Sequence, residues 1–375
     1  MTRKVLVVGM FDSVHFARWL TQFQDQEIEF LLFPSSPHRR LHPKLKELLT
    51  NRGVARYSLA FFSRYYGLPF WLVDQVLGNL IRGSVLRFLI STFRPNYIHA
   101  LEIQNAGYIA LRALGSGKPK EAKLIVTNYG SDLFWFKKFP KHLEKIKRLL
   151  SIADVYSCEC ARDIDLAQQL GFFGQVMPVI PNAGGFSEEL LSQKLKNFSE
   201  RRIIAVKGYH GWVGRAHVAI EALGQISGSL KNYEIVFYSC NHSTMRKAHA
   251  LGLKTGLKIE TYAKGQLPHS QVLNLFSNSA VYVGISESDG ISTSLLEAMA
   301  MGAVPVQTAT SCCDEWFGPE SGVAIRSIDP GVVAEGILNA LELARDGEAA
   351  YLNQQTIKSK ASEQQVREAA LNFYR

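Results

Sequence analysis

The chain has 375 residues, 47% hydrophobic and 20% charged, which excludes a disordered chain and a single small core and leaves room for two domains. Five cysteines (Cys158, Cys160, Cys240, Cys312, Cys313) lack the number and spacing of a disulfide framework or a zinc site, and read as buried small apolar residues in a reducing compartment. The net charge of +9 is lopsided: residues 1–190 hold 24 Lys+Arg and 16 Asp+Glu (+8) and residues 191–375 hold 18 and 17 (+1), so the first half is expected to meet something acidic.

RKVLVVGMF (3–11) is a basic pair, a β-branched apolar run and a glycine, a buried strand running into a turn. Between Lys4 and Asp12 the apolar run is only VLVVGMF, too short for a secretion signal. A helical pattern, HFARWLTQF (15–23), follows it. Strands are then expected at 28–33, 96–101, 123–130 and 153–158. The most apolar stretch, FWLVDQVLGNLIRGSVLRFLI (70–90), carries Asp74, Arg82 and Arg87 and makes a poor membrane span. RRIIAVKGY (201–209) repeats the opening pattern, with a helix at 215–226 and strands at 233–240, 257–263, 280–286 and 303–308. Strand–helix alternation in both halves implies two doubly wound α/β domains, with a ligand cleft between them outside the carboxyl ends of the strands. The break falls in VIPNAGGFSEELL (179–191). The expected division is 1–188, 189–352, and a polar C-terminal helix, 353–375, packed at the junction or loose.

SDGISTSLLEAMAMGAVPVQT (288–308) holds one acid, Glu297, inside an apolar helix. A carboxylate there costs energy unless something meets it. The helix begins near Ser292–Ser294 and ends at Gly302. Gly290, Ile291, Ser292 and Thr293 therefore offer backbone N–H groups to an anion, with Asp289 at the loop's mouth. Glu297 either accepts hydrogen bonds from a sugar diol such as a ribose or complements the helix dipole. In AVKGYHGWVGRAHVAIEAL (205–223), Lys207 ends a strand and Arg215 opens a helix. Gly208, Gly211 and Gly214 between them let the backbone approach a ligand. The two cations read as a diphosphate clamp or as a solvated surface pair.

Together these segments resemble the retaining glycosyltransferases of family 4, with the GT-B fold, over nearly the whole chain. SESDGISTSLLEAMAMGAVPVQT resembles that family's acid-x7-acid signature, with Asp289 where Glu is usual and Glu297 as the second acid. The resemblance implies that Glu297 binds the nucleotide ribose, that Asp289 and the loop face the donor sugar and diphosphate, and that Lys207 and Arg215 hold phosphate. On the acceptor side, DSVHFARWL (12–20), PNYIHALEIQNAGY (95–108) and TNYGSDLF (127–134) resemble the family's loops. They single out Ser13, His15, His99, Tyr129, Gly130 and Asp132. His15 and His99 read equally as satisfied structural histidines, and Asp132 as orienting its loop. The implied chemistry needs no protein nucleophile: the leaving phosphate takes the acceptor's proton on the same face.

Three lookalikes fail. Asp163-x-Asp165 sits at a helix start, where a solvated face is expected, and not after an apolar strand. GSGK (115–118) lacks the first glycine and the Ser/Thr of a P-loop, and GMFDSVH (9–15) lacks G-x-G-x-x-G. Neither metal, ATP, NAD nor another cofactor is expected. Residues 38–66 (Arg39, Arg40, Lys44, Lys46, Arg52, Arg56, Arg64, with Phe61, Phe62, Tyr65, Tyr66) and 137–148 (Lys137, Lys138, Lys141, Lys145, Lys147, Arg148) are basic and partly aromatic. They suggest either an anionic membrane face or a solvated basic surface over aromatic core. Nucleic acid fits less well, since no recognition motif accompanies the charge. The resulting expectation is a metal-independent transferase moving a sugar from a nucleotide diphosphate to a glycan or lipid-linked acceptor. It would be cytoplasmic and peripheral to the inner membrane face. A silent sugar-nucleotide-binding module and a same-fold epimerase are the alternatives.

Overall fold

The computed structural model describes every residue except Met1, Arg39, Arg52, 62–66, Ser116 and 182–183. Of the basic-aromatic stretch, Arg39, Arg52, Phe62, Arg64, Tyr65 and Tyr66 thus lie outside the described residues, as do Ser116 of GSGK and 182–183 of the expected break. The chain divides into two compact units, 1–185 with 364–375, and 186–363.

The first unit is built on seven parallel strands: β1 (Arg3–Gly9), β2 (Ile28–Pro34), β3 (Arg56–Leu59), β4 (Tyr97–Leu101), β5 (Lys123–Thr127), β6 (Val155–Ser157) and β7 (Gln175–Val176). Their order in the sheet is β3-β2-β1-β4-β5-β6-β7. Helices α1 (Val14–Thr21), α2 (Pro43–Thr50), α3 (Leu68–Val76), α4 (Leu80–Phe93), α5 (Tyr108–Leu114), α6 (Pro140–Ile152) and α7 (Ala161–Gln169) belong to this unit. The β-branched run of β1 is continuous because both its faces are covered. Leu6 and Val8 join one core with Ile98, Ile109 and Leu149, whereas Val5 and Val7 join another with Trp19, Phe30 and Tyr374.

The second unit has six parallel strands: β8 (Ile203–Lys207), β9 (Glu234–Cys240), β10 (Lys258–Ala263), β11 (Ser279–Gly284), β12 (Val304–Thr308) and β13 (Val323–Ile325). Their order is β10-β9-β8-β11-β12-β13. Helices α8 (Glu188–Leu191), α9 (Ala216–Gln225), α10 (His242–Thr255), α11 (His269–Ser277), α12 (Thr293–Ala300), α13 (Pro330–Leu343) and α14 (Glu348–Ala361) belong here. Val281 and Val283 of β11 face one core and Tyr282 the other. Both sheets follow the doubly wound 3-2-1-4-5-6 order, with β1 and β8 at the points where strand order reverses.

Strands expected from apolar runs are all present. The three that sequence patterning misses, β3, β7 and β13, each lie at a sheet edge. They are short (four, two and three residues) and, Ile325 apart, at most partly covered, so no long apolar run marks them. The expected single helix at 353–375 is broken. Ser362 is extended (φ −64°, ψ 151°) and separates α14 from α15 (Glu363–Leu371), which packs with the first unit. Phe186 N donates to Ala361 O (2.8 Å) and Phe186 O accepts from Glu363 N (2.9 Å), tying the break in place.

Candidate functional site

In the second unit, β8 and β11 lie side by side, so Lys207 and the loop after Gly284 emerge together at the carboxyl ends of the strands. This is the switch point where open α/β sheets bind ligands. The loop is held from two directions. Thr308 Oγ1 accepts from Ser286 N (3.1 Å) and Thr310 Oγ1 donates to Ser286 O (2.7 Å). On the other side Glu287 N donates to Val213 O (2.8 Å) and Arg215 N to Ile285 O (2.9 Å). Gly290 N donates to Asp289 Oδ1 (3.0 Å), which shapes the entry to α12. Ile291 is buried beneath, and Ser292 and Thr293 head the helix without a side-chain cap.

Lys207 Nζ donates to Ser292 Oγ (3.1 Å), which puts an ammonium at the helix N-terminus. Burial opposes its charge, but Tyr282, Asp289 and Glu297 outweigh that and its pKa is raised. The cation is therefore firmly charged at neutral pH. Beneath it, burial pushes the phenols of Tyr238 and Tyr282 upward, so both are neutral. Glu297, 7% exposed, is met by a group that sequence reading passes over: His269 Nε2 lies 2.7 Å from Glu297 Oε1. His269 is the first residue of α11.

Arg215 differs from Lys207. Its guanidinium is bound to Glu287 (Nε to Oε1, 2.8 Å) and to the carbonyls of Gly211 (2.7 Å) and Gly214 (2.9 Å). It is neither a solvated cation nor, as it stands, an open phosphate ligand. The nearby glycines also serve packing and not only approach to a ligand. A Cβ on Gly208 would fall 2.3 Å from Cys240 Sγ, and one on Gly214 2.4 Å from Tyr209 O.

In the first unit, Ser13 caps α1 by accepting from His15 N (3.2 Å), and the His15 ring lies 6.1 Å from that of Tyr129. His99 is a structural residue, not an acceptor contact. It is fully buried, with Nδ1 2.7 Å from Tyr374 Oη and Nε2 2.7 Å from Thr127 Oγ1. Burial lowers its pKa to about 3. Asp132 orients its loop: its Oδ2 accepts from Ile103 N (2.9 Å) and Tyr129 N (3.1 Å). Burial and the neighbouring Glu102 hold Asp132 well above the usual carboxylate range. Glu102 itself, raised by burial, takes N–H bonds from Ala106 (2.8 Å) and Asn105 (3.1 Å). Gly130, at φ +46°, donates its N–H to Glu159 (3.1 Å). The carboxyl ends of β4, β5 and β6 thus bring Glu102, Asp132 and Glu159 around Tyr129. Asp163 corrects the expectation of a solvated face. It is buried and accepts from Asn128 Nδ2 (2.7 Å) and Arg162 Nε (2.8 Å).

Residues 187–359, nearly the whole second unit, match the family described as glycosyl transferases group 1. The second unit carries a glycosyl transferases group 1 match. Solved structures share the fold across the chain at low identity. A sucrose-phosphate synthase from Thermosynechococcus elongatus superposes with TM-score 0.69 at 12% identity, covering 99% of this chain and 97% of that one. The Anabaena protein HepE, solved in complex with UDP and glucose, gives 0.67 at 12%, covering 99% of each chain. A UDP-forming α,α-trehalose-phosphate synthase from Burkholderia vietnamiensis gives 0.70 at 12%, covering 99% and 98%. No curated protein matches the chain. The architecture is GT-B, and family match and fold together support a glycosyltransferase.

Within the group 1 match, Lys207 meets Ser292 at the N-terminus of α12, and Asp289 and Glu297 of the same segment act on its charge. His269 and Glu287 were missed. His269 had a usable signal, its place directly after the proline that opens a helix (LPHSQV). In the first unit, Glu102 and Glu159 were missed although they lie one and two residues after the ends of β4 and β6.

Proposed function

We propose that the chain is a retaining glycosyltransferase of family 4 that moves a sugar from a nucleotide diphosphate to a hydroxyl acceptor without a metal ion. The observation that carries this reading is the half-buried, charged Lys207 ammonium on the uncapped N-terminus of α12. A preorganised cation and a helix end in a dry site stabilise charge that develops on a leaving phosphate. Glu297 accepts the ribose hydroxyls, so nucleotide and His269 compete for the same carboxylate. Asp289 and the N–H groups from Gly290 to Thr293 face the sugar and diphosphate. Arg215 joins the clamp by exchanging Glu287 for a phosphate oxygen. The bond from the anomeric carbon to the phosphate oxygen breaks, the acceptor oxygen bonds to that carbon, and the acceptor's proton passes to the leaving phosphate.

The first unit takes the acceptor, with Tyr129, Gly130 and His15 as contacts and Ser13 and Asp132 as positioning residues. The acceptor is a glycan or lipid-linked precursor, met at the cytoplasmic face of the membrane. Titration with UDP and UDP-sugars, followed by thermal shift and by donor hydrolysis, tests the donor site. Ligand binding to the native state raises the apparent stability. Glu297→Ala is expected to weaken nucleotide binding at least tenfold, about 1.4 kcal/mol. His269→Ala should change it less. Lys207→Met is expected to lower turnover about 100-fold or more. Unchanged affinity in Glu297→Ala would overturn the ribose assignment. Saturable binding with no turnover would identify a silent binder, and loss of turnover in chelator would contradict metal independence.

A further inference from the structure

The apolar stretch that reads as a poor membrane span folds into α3 and α4, which meet at 97° across Gly78 and Asn79. No single helix among the described residues is long and apolar enough to cross a membrane. Two of the three charges in the stretch are, however, turned inward, and Arg87 alone is exposed. Asp74 and Arg82 are both fully buried and ion-paired to each other. Asp74 also accepts from Ile81 N (2.7 Å), and Arg82 donates to Ser35 O (2.7 Å). With these groups satisfied inside, the outer surface of the elbow is apolar. Leu68, Leu72, Val73 and Val76 of α3, with Leu77 and Leu80 at the turn, are exposed, Val76 to 88%.

Beside this ridge is a cavity of about 850 Å³ between α4, α5 and α6. Arg87, Arg112, Lys145 and Arg148 line it, and no carboxylate does. Among the described residues none of the four lies in an ion pair. Three of the four are held in place. Arg87 Nε donates to Ala113 O (2.8 Å), the Arg112 stem packs against Gly83, and Lys145 Nζ lies 5.1 Å above the Tyr108 ring. Leu80 and the exposed Phe88 line the cavity as well, so apolar ridge and cationic pocket form one continuous surface.

We propose that this surface docks the protein onto an anionic phospholipid bilayer, with the α3–α4 elbow in the acyl–headgroup boundary and the four-cation pocket on the phosphate headgroups. The chemistry selects this occupant. Branched apolar side chains with no polar tips gain by leaving water for acyl chains, and unpaired cations at their edge gain from anionic headgroups. Nucleic acid would reward the cations but not the ridge. The proposal deepens the transferase reading by giving the acceptor's surface, and it rests on that reading only for what the membrane carries.

Co-sedimentation with vesicles of phosphatidylcholine alone, and of phosphatidylcholine with an equal part of phosphatidylglycerol, tests it on the full chain. UDP thermal shift reports the donor site separately, so failure of docking and failure of the transferase reading are distinguishable. The wild type is expected to sediment with the anionic vesicles. Val73→Asp/Val76→Asp, both solvent-facing, should release it from either vesicle. Arg112→Gln/Lys145→Gln/Arg148→Gln should lose the anionic preference, about fivefold per cation. Equal binding to both vesicles, or sedimentation indifferent to both sets of substitutions, would overturn the proposal. So would a concentration-dependent dimer abolished by Val73→Asp/Val76→Asp with no vesicle binding, which would make the ridge a contact between copies.

Discussion

His99 holds a neutral ring between the hydroxyls of Thr127 and Tyr374. Its pKa falls from 6.5 to about 3 on folding, because burial penalises the cation. Below pH 6.5 the unfolded chain takes up a proton that the folded chain refuses, so this residue's contribution is full above that pH. It is lost progressively toward pH 3, at about 1.4 kcal/mol per pH unit. Urea unfolding across that range, followed by the fluorescence of Trp19, whose ring is 5.4 Å away, should show the slope. His99→Gln should flatten it while lowering stability at neutral pH, and an unchanged slope would place the acid sensitivity elsewhere. The same burial explains which site residues can be read from sequence. Lys207 and Glu297 stand out because a charge in or beside an apolar run demands a partner. The partners that were missed, His269 for Glu297 and Glu287 for Arg215, depend on how loops and helices far apart in sequence approach, which local pattern does not encode.

At the scale of elements, the elbow between α3 and α4 turns a sequence that reads as interrupted into an apolar outer face along α3 and the turn. Breaking a buried pair leaves one uncompensated charge in a dry site. Asp74→Asn is expected to cost about 3–5 kcal/mol, and Asp74→Leu/Arg82→Met to recover much of it. Chemical denaturation of the three proteins measures this, and a double substitution as damaging as the single one would argue that the hydrogen bonds to Ile81 and Ser35 dominate. Element legibility follows burial too. Central strands covered on both faces announce themselves as apolar runs, whereas β3, β7 and β13, with one neighbour each, do not.

At the scale of the molecule, two sheets with the same strand order are each completed by helices on both faces, and the repeated strand–turn pattern at 3–11 and 201–209 is their visible trace. The return of 364–375 to the first unit was less legible, because a polar helix with one apolar face fits many surfaces. Its Val366, Ala370, Phe373 and Tyr374 are buried in that unit's core. Removing 364–375 deletes two buried aromatics, about 3 kcal/mol or more each, a loss comparable to the stability of a whole domain. Calorimetry should then show the first unit melting early while UDP still raises the transition of the second. Unchanged melting of the first unit would mean that its core closes without the segment. Val5 and Val7 of β1 share that core with Tyr374, so this face of the first sheet cannot close until residue 374 has been made, after the whole of the second unit. Synthesis of the second unit thus sets a delay between the strands of the first sheet and the covering of one of its faces.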